Sequence, residues 1–119
     1  MRRICVQAPT LFIVVLVTAA TKKEAEKISK AILRKRLAAC VNIVPGLTSF
    51  FHWKGKIEKA NEFLLLIKTQ SELFTDLEKT VKTNHGYSVP EIIAMPITKS
   101  SKDYLAWIKK ETGQKLSKK

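Results

Sequence analysis

Two hydrophobic rhythms follow one another along the chain. Leu11 to Val17 is an unbroken apolar run rich in β-branched residues, which predicts a strand buried on both faces. Thr21 stands three residues before Glu24, the spacing of a capping box. Beyond it Ala25, Ile28, Ala31 and Ile32 recur at helical spacing while Lys23, Lys27, Lys30 and Arg34 fall opposite, so a helix is expected to about Lys35. The pattern then turns extended from Ala38 to Trp53, interrupted by Pro45-Gly46, where a bulge or bend is expected because Pro gives no ladder donor. Lys54-Gly55 reads as a tight turn, and Phe63 to Ile67 as the returning strand of an unusually long hairpin. Ser71 is the expected cap of a second amphipathic helix over residues 71–84, carrying Leu73, Phe74, Leu77 and Val81. Val89 to Ile97 predicts a fourth strand, and Ser100 or Ser101 opens a third helix with Tyr104, Leu105 and Ile108.

The order β-α-β-β-α-β with a helix appended is that of a ferredoxin-like α+β fold, with both crossover helices on one face of an antiparallel sheet. The other face then needs a cover. Along Phe50-Phe51-His52-Trp53 large rings point both ways, and one helical layer leaves some of them in water. Either the appended helix covers them, through Tyr104, Leu105, Trp107 and Ile108, or another subunit does.

Composition narrows the class without changing the fold. With 45% hydrophobic and 27% charged residues over 119 positions, the chain is one globular domain, assigned to residues 11–113 between an N-terminal tail (1–10) and a basic C-terminal tail (114–119). A net charge of +12 first suggests nucleic acid or an anionic surface. Residues 1–9 and 109–119 carry half of that excess, and most of the remainder is Lys, the usual choice for a solvated face. Nucleic acid is therefore not the expected partner. Met1-Arg2-Arg3 ahead of the apolar run and Thr18-Ala19-Ala20 also has the layout of a secretory signal. The β-branched residues, Pro9 and the immediate helix start favour a strand, and the run is too short to span a bilayer. Cys5 and Cys40 show neither zinc-ligand spacing nor a disulfide framework, as expected of reduced thiols in a cytoplasmic protein; Cys40, between Ala39 and Val41, reads as a small buried side chain.

Site chemistry is sparse. The strand from Phe63 lacks the aromatic pattern of an RNA-recognition sheet, and the loop after the first strand lacks the paired cysteines that Cu(I) prefers. Without a Gly-rich phosphate loop, a Ser-His-Asp set or paired catalytic carboxylates, nothing asks for an enzyme. What remains is Asn84-His85-Gly86-Tyr87-Ser88-Val89-Pro90-Glu91. His85 and Glu91 either converge there with a basic residue from elsewhere, or His85 and Tyr87 serve only to hydrogen-bond loop backbone.

Several blocks together resemble the CutA divalent-cation tolerance family: Arg36 to Ile43, Ser49 through Trp53 to Gly55, Leu65 to Thr69, Lys82-x-x-His85-x-Tyr87-x-x-Pro90-Glu91-Ile92-Ile93, and Tyr104 to Ile108. They lie in order across nearly the whole domain. The resemblance implies a PII-like homotrimer of ferredoxin-like subunits in which the long hairpins extend the sheets of neighbours. It implies a role in tolerance of copper or another divalent metal, with a metal ion or small ligand bound at clefts between subunits and no metal required for folding. Members with a copper site unite a Cys ending the first strand with two His just before the Tyr; the matching positions here are Val17, Asn84 and His85. His85 is thus the one metal candidate carried over, with Tyr87, Glu91 and Cys40 as cleft candidates. Gly86 replaces the common Pro before the Tyr and, with Ser88, is expected to loosen the loop. The alternative is a trimeric scaffold for protein–protein interaction or PII-like signalling.

Overall fold

The structure is a computed structural model that describes residues 11–113; the segments 1–10 and 114–119, read above as tails, and Cys5 lie outside the described residues. The apolar run forms β1 (Phe12–Ala19), a central strand whose Ile13, Val15, Val17 and Ala19 are buried. Helix α1 (Lys22–Arg34) starts at Thr21, whose hydroxyl accepts from the Glu24 N–H at 3.1 Å, and ends at Lys35. The other half of the capping box departs from expectation: Glu24 Oε1 accepts from Ala20 N–H at 3.3 Å, one residue before the cap.

Strands β2 (Cys40–Trp53) and β3 (Lys56–Gln70) form the hairpin. Its register shifts between Val44 and Leu47, at the Pro45-Gly46 pair, and Lys54 (φ 51°) with Gly55 (φ 78°) closes a two-residue turn of the type that matches strand twist. Strand β3 begins at Lys56, seven residues before the expected Phe63. Only Phe63 to Gln70 also pairs with β1, so the distal half of the hairpin is a two-stranded arm.

Ser71 does not cap the second helix. Residues Ser71–Leu73 form a 3-10 turn, and α2 (Phe74–Asn84) follows with Leu73 at its N-cap and no side-chain bond there. Strand β4 is Ile92–Pro96, shorter than expected, because Val89, Pro90 and Glu91 remain in the loop. Ser101 caps α3 (Lys102–Glu111), accepting from the Tyr104 N–H at 3.2 Å; Lys109 to Glu111, counted above with the tail charge, close this helix.

The sheet order is β2-β3-β1-β4, every neighbour antiparallel, the ferredoxin-like topology. Odd positions of β1 and β3 face the two crossover helices, where Ile28, Ile32, Leu65, Ile67, Leu77 and Val81 are completely buried. Each such side chain contributes about 1.5–3 kcal/mol on burial. The even positions face away from those helices. Helix α3 packs near the Gln70 end of β3, where Gln70 donates to the Thr112 hydroxyl at 2.7 Å and Arg36 pairs with Glu111 at 2.8 Å. It does not cover the rings of β2, where Phe50 is 68% exposed and Trp53 about half exposed, or Ile93 and Met95 of β4, also about half exposed.

Candidate functional site

Where β1 ends, the hairpin arm and the loop between α2 and β4 enclose a groove of about 990 Å³. Its chemistry is built from the strands inward. On β3, Glu62 precedes the apolar run and faces the groove, only 7% exposed. Its Oε1 accepts from the Ser49 hydroxyl of β2 and its Oε2 from the Tyr87 hydroxyl of the loop, both at 2.7 Å. Burial, then the hydrogen bond to Glu62 and the charges of Glu62 and Glu24, push the Tyr87 phenol up to about 12, so it stays a donor.

The loop that presents Tyr87 is fastened from below. The side chain of His85 is fully buried; its Nε2–H donates to the Thr18 carbonyl at 2.6 Å and its Nδ1 accepts from the Tyr87 N–H at 3.1 Å. Those two bonds define the neutral Nε2–H tautomer. Gly86 donates its N–H to Glu24 Oε2 at 2.7 Å, so the residue expected to loosen the loop instead ties it to the start of α1. A Pro here has no N–H to give. Glu24, in the first turn of α1, thus holds the backbone of the loop that presents Tyr87.

Tyr87 and Glu91 of the expected site both line the groove, beside Ser88 and Pro90. His85 lies beneath the loop with both ring nitrogens engaged, and enters a metal site only by breaking one of those bonds. Cys40 is not among the groove residues. It is half-buried instead of buried, with its thiol 3.9 Å from Asn42 Oδ1 and close enough to Tyr104 to push that phenol up, after burial. Asn42 also accepts from Lys68. Val17 is completely buried in the core, and Asn84 donates to the Thr80 carbonyl at 2.8 Å. Among the described residues no three His, Cys, Asp or Glu side chains converge to hold a metal ion, so these donors alone do not fit a copper site.

Sequence reasoning missed Glu62, Ser49 and the loop-fastening role of Glu24. The available signal was a carboxylate placed directly before a five-residue apolar run, where burial without hydrogen-bond donors is costly.

The family of the CutA1 divalent ion tolerance protein matches residues 13–111. A divalent-cation tolerance protein CutA of Thermus thermophilus is 48% identical over 100 residues, covering 84% of this chain and 97% of that protein. A chloroplastic protein CutA of Arabidopsis thaliana is 47% identical over 84% of this chain, which spans 55% of that longer protein. A solved structure of the divalent cation tolerance protein Cut A1 from Thermus thermophilus superposes with a TM-score of 0.85 at 47% identity, covering 87% of this chain and all of that one.

Proposed function

The chain belongs to the CutA1 divalent ion tolerance family, and from that premise we propose that it serves divalent-cation tolerance as a non-enzymatic, cytoplasmic homotrimer. Its intersubunit clefts take a divalent metal ion, copper included, or a small ligand, with no metal required for folding. The observation that carries this reading is the groove itself: a polar network of Glu62, Ser49 and Tyr87, under a loop fastened at three points, facing a concave surface. Fixed donors and acceptors in a cleft of this size suit recognition of a small ligand. Assembly is supported by the apolar residues Phe50, Trp53, Ile93 and Met95 left open on the sheet and its arm. Since the described residues gather no metal-holding group, metal binding in the cleft draws donors from a second copy. Among the described residues no helix is long and apolar enough to cross a membrane.

Sedimentation analysis tests the assembly, and a monomer across the working concentration range removes it. Calorimetry with Cu(II) tests the metal arm: saturable heat lost in His85→Ala supports it, and no heat, or heat unchanged in that variant, removes it. A second reading, a trimeric scaffold or PII-like signalling protein, is favoured by the hairpin arm, where Ile57 is 72% exposed. It predicts protein partners whose capture is lost in Ile57→Lys with ligand binding unaltered.

A further inference from the structure

Helix α1 carries a ridge of cations that the fold itself does not use. Its buried residues are Ala25, Ile28, Ser29 and Ile32. At 3.6 residues per turn, Lys23, Lys27, Lys30 and Arg34 fall on the opposite side within about 60° of arc, and at 1.5 Å per residue they run about 16 Å along the helix. All four are exposed, and none forms an ion pair among the described residues. Successive members stand four, three and four residues apart, and like charges at those spacings destabilise a helix. The acids of α1 do not relieve this. Glu24 is turned onto the Ala20 and Gly86 N–H groups, and Glu26, exposed beside the ridge, pairs with neither Lys22 nor Lys30. Like charges held together against the helix's own stability, with no counter-charge among the described residues, point to an anionic surface outside the chain.

Shape and side-chain choice decide which one. The ridge is the outer surface of a helix and therefore convex, three of its four cations are Lys, and no aromatic side chain is exposed on α1 or α2. A nucleic-acid site calls instead for forked Arg contacts and for rings on which bases stack. Leu33 is 40% exposed and borders the ridge beside Lys30 and Arg34. Four clustered cations with an apolar side chain at their edge suit a plane of mobile anionic headgroups above hydrocarbon.

We propose that α1 docks on an anionic lipid surface, with Lys23, Lys27, Lys30 and Arg34 on the headgroups and Leu33 at the apolar boundary. The ridge lies on the helical side of the sheet, opposite Ile93 and Met95, so the proposed trimer leaves it outside, and this docking stands or falls independently of the cleft. Each cation near such a surface contributes about fivefold in affinity, which makes the association reversible and sensitive to salt.

The test is sedimentation of the full chain with vesicles of equimolar phosphatidylcholine and phosphatidylserine, against pure phosphatidylcholine vesicles, with retention of a single-stranded oligonucleotide as a separate arm. Saturable binding is expected on the anionic vesicles alone, falling about 25-fold in Lys27→Gln/Lys30→Gln and severalfold in Leu33→Gln. Lys109→Gln/Lys110→Gln removes the same charge from the exposed last turn of α3, and is expected to change the affinity less than about twofold because screening confines attraction to nearby charges. All of these are exposed sites taking a good helix former, and circular dichroism verifies that each variant is folded. No binding to anionic vesicles, equal binding to both vesicle types, or equal losses in the two lysine pairs overturns the proposal. Ridge-dependent retention of the oligonucleotide without vesicle binding gives the ridge to nucleic acid and overturns it too. Vesicle binding indifferent to Leu33→Gln reads charge alone and overturns the seating on lipid.

Discussion

Tyr87→Phe tests the central bond of the groove. The substitution removes one hydroxyl, keeps the ring, and leaves Glu62 Oε2 without the donor that now sits at 2.7 Å. A hydrogen bond to a charged group contributes about 1.5–3 kcal/mol. Tyr87 is 37% exposed, so water replaces part of what is lost, and the lower end, about 1.5 kcal/mol, is the expected destabilisation. Urea unfolding measures it, at one fixed protein concentration, so that the proposed assembly contributes equally to parent and variant. A second readout isolates the cause. The phenolate absorbance of Tyr87 is expected to appear near pH 12 in the parent protein. In Glu62→Gln the hydrogen bond to a carboxylate and the nearby charge are gone while burial remains, so the titration moves back toward its ordinary value. Tyr87→Phe within about 0.5 kcal/mol of the parent, together with a phenol that titrates normally, refutes the account of this site.

Three further outcomes follow from the same contacts. Because the folded protein holds Tyr87 protonated, this contribution to stability is complete below pH 10 and is lost as pH rises toward 12, which unfolding midpoints across that interval measure. Gly86→Ala places a Cβ 2.9 Å from Glu24 Oε2, but a carboxylate at the end of a flexible side chain yields, and the gain from a stiffer unfolded chain offsets the shift; thermal unfolding should change by less than about 0.5 kcal/mol, and a loss of several kcal/mol would show the loop to be rigid there. Ile93→Lys, on the half-exposed apolar sheet face, is expected to leave the circular dichroism spectrum intact and shift sedimentation to smaller species, and an unchanged assembly would exclude that face from the interface.

The fold was legible wherever local pattern and tertiary context agree. The β1 run, the α1 stripe with Thr21, the Pro45-Gly46 bulge and the Lys54-Gly55 turn each follow from residues a few positions apart. Ser71 misled because a capping residue also suits the tighter turn that occupies 71–73. The first seven residues of β3 were missed because residues 56–62 are mainly polar, and their pairing is supplied by β2 instead of by burial. The site was legible in part. Tyr87 and Glu91 announce themselves within one short loop, but their partners Glu62 and Ser49 lie 25 residues or more before Tyr87 and meet it only through sheet register and the crossover. The role of Gly86 depends on Glu24, 62 residues earlier, a pairing that no local spacing encodes.

The two-stranded arm shapes how the molecule forms. Its turn closes over two residues and its pairs up to Leu47 with Glu62 are near in sequence, so the arm has low contact order and zips quickly once Trp53 meets Lys56. A lone pair of strands is nevertheless marginal in water, and among the described residues no third strand flanks residues 56–62. In the proposed trimer the arm therefore acquires its register early and its stability late, on docking against a second copy. If that assembly forms, amide exchange along Ser49 to Asn61 reports the docking, while exchange along β1 reports folding of the single chain.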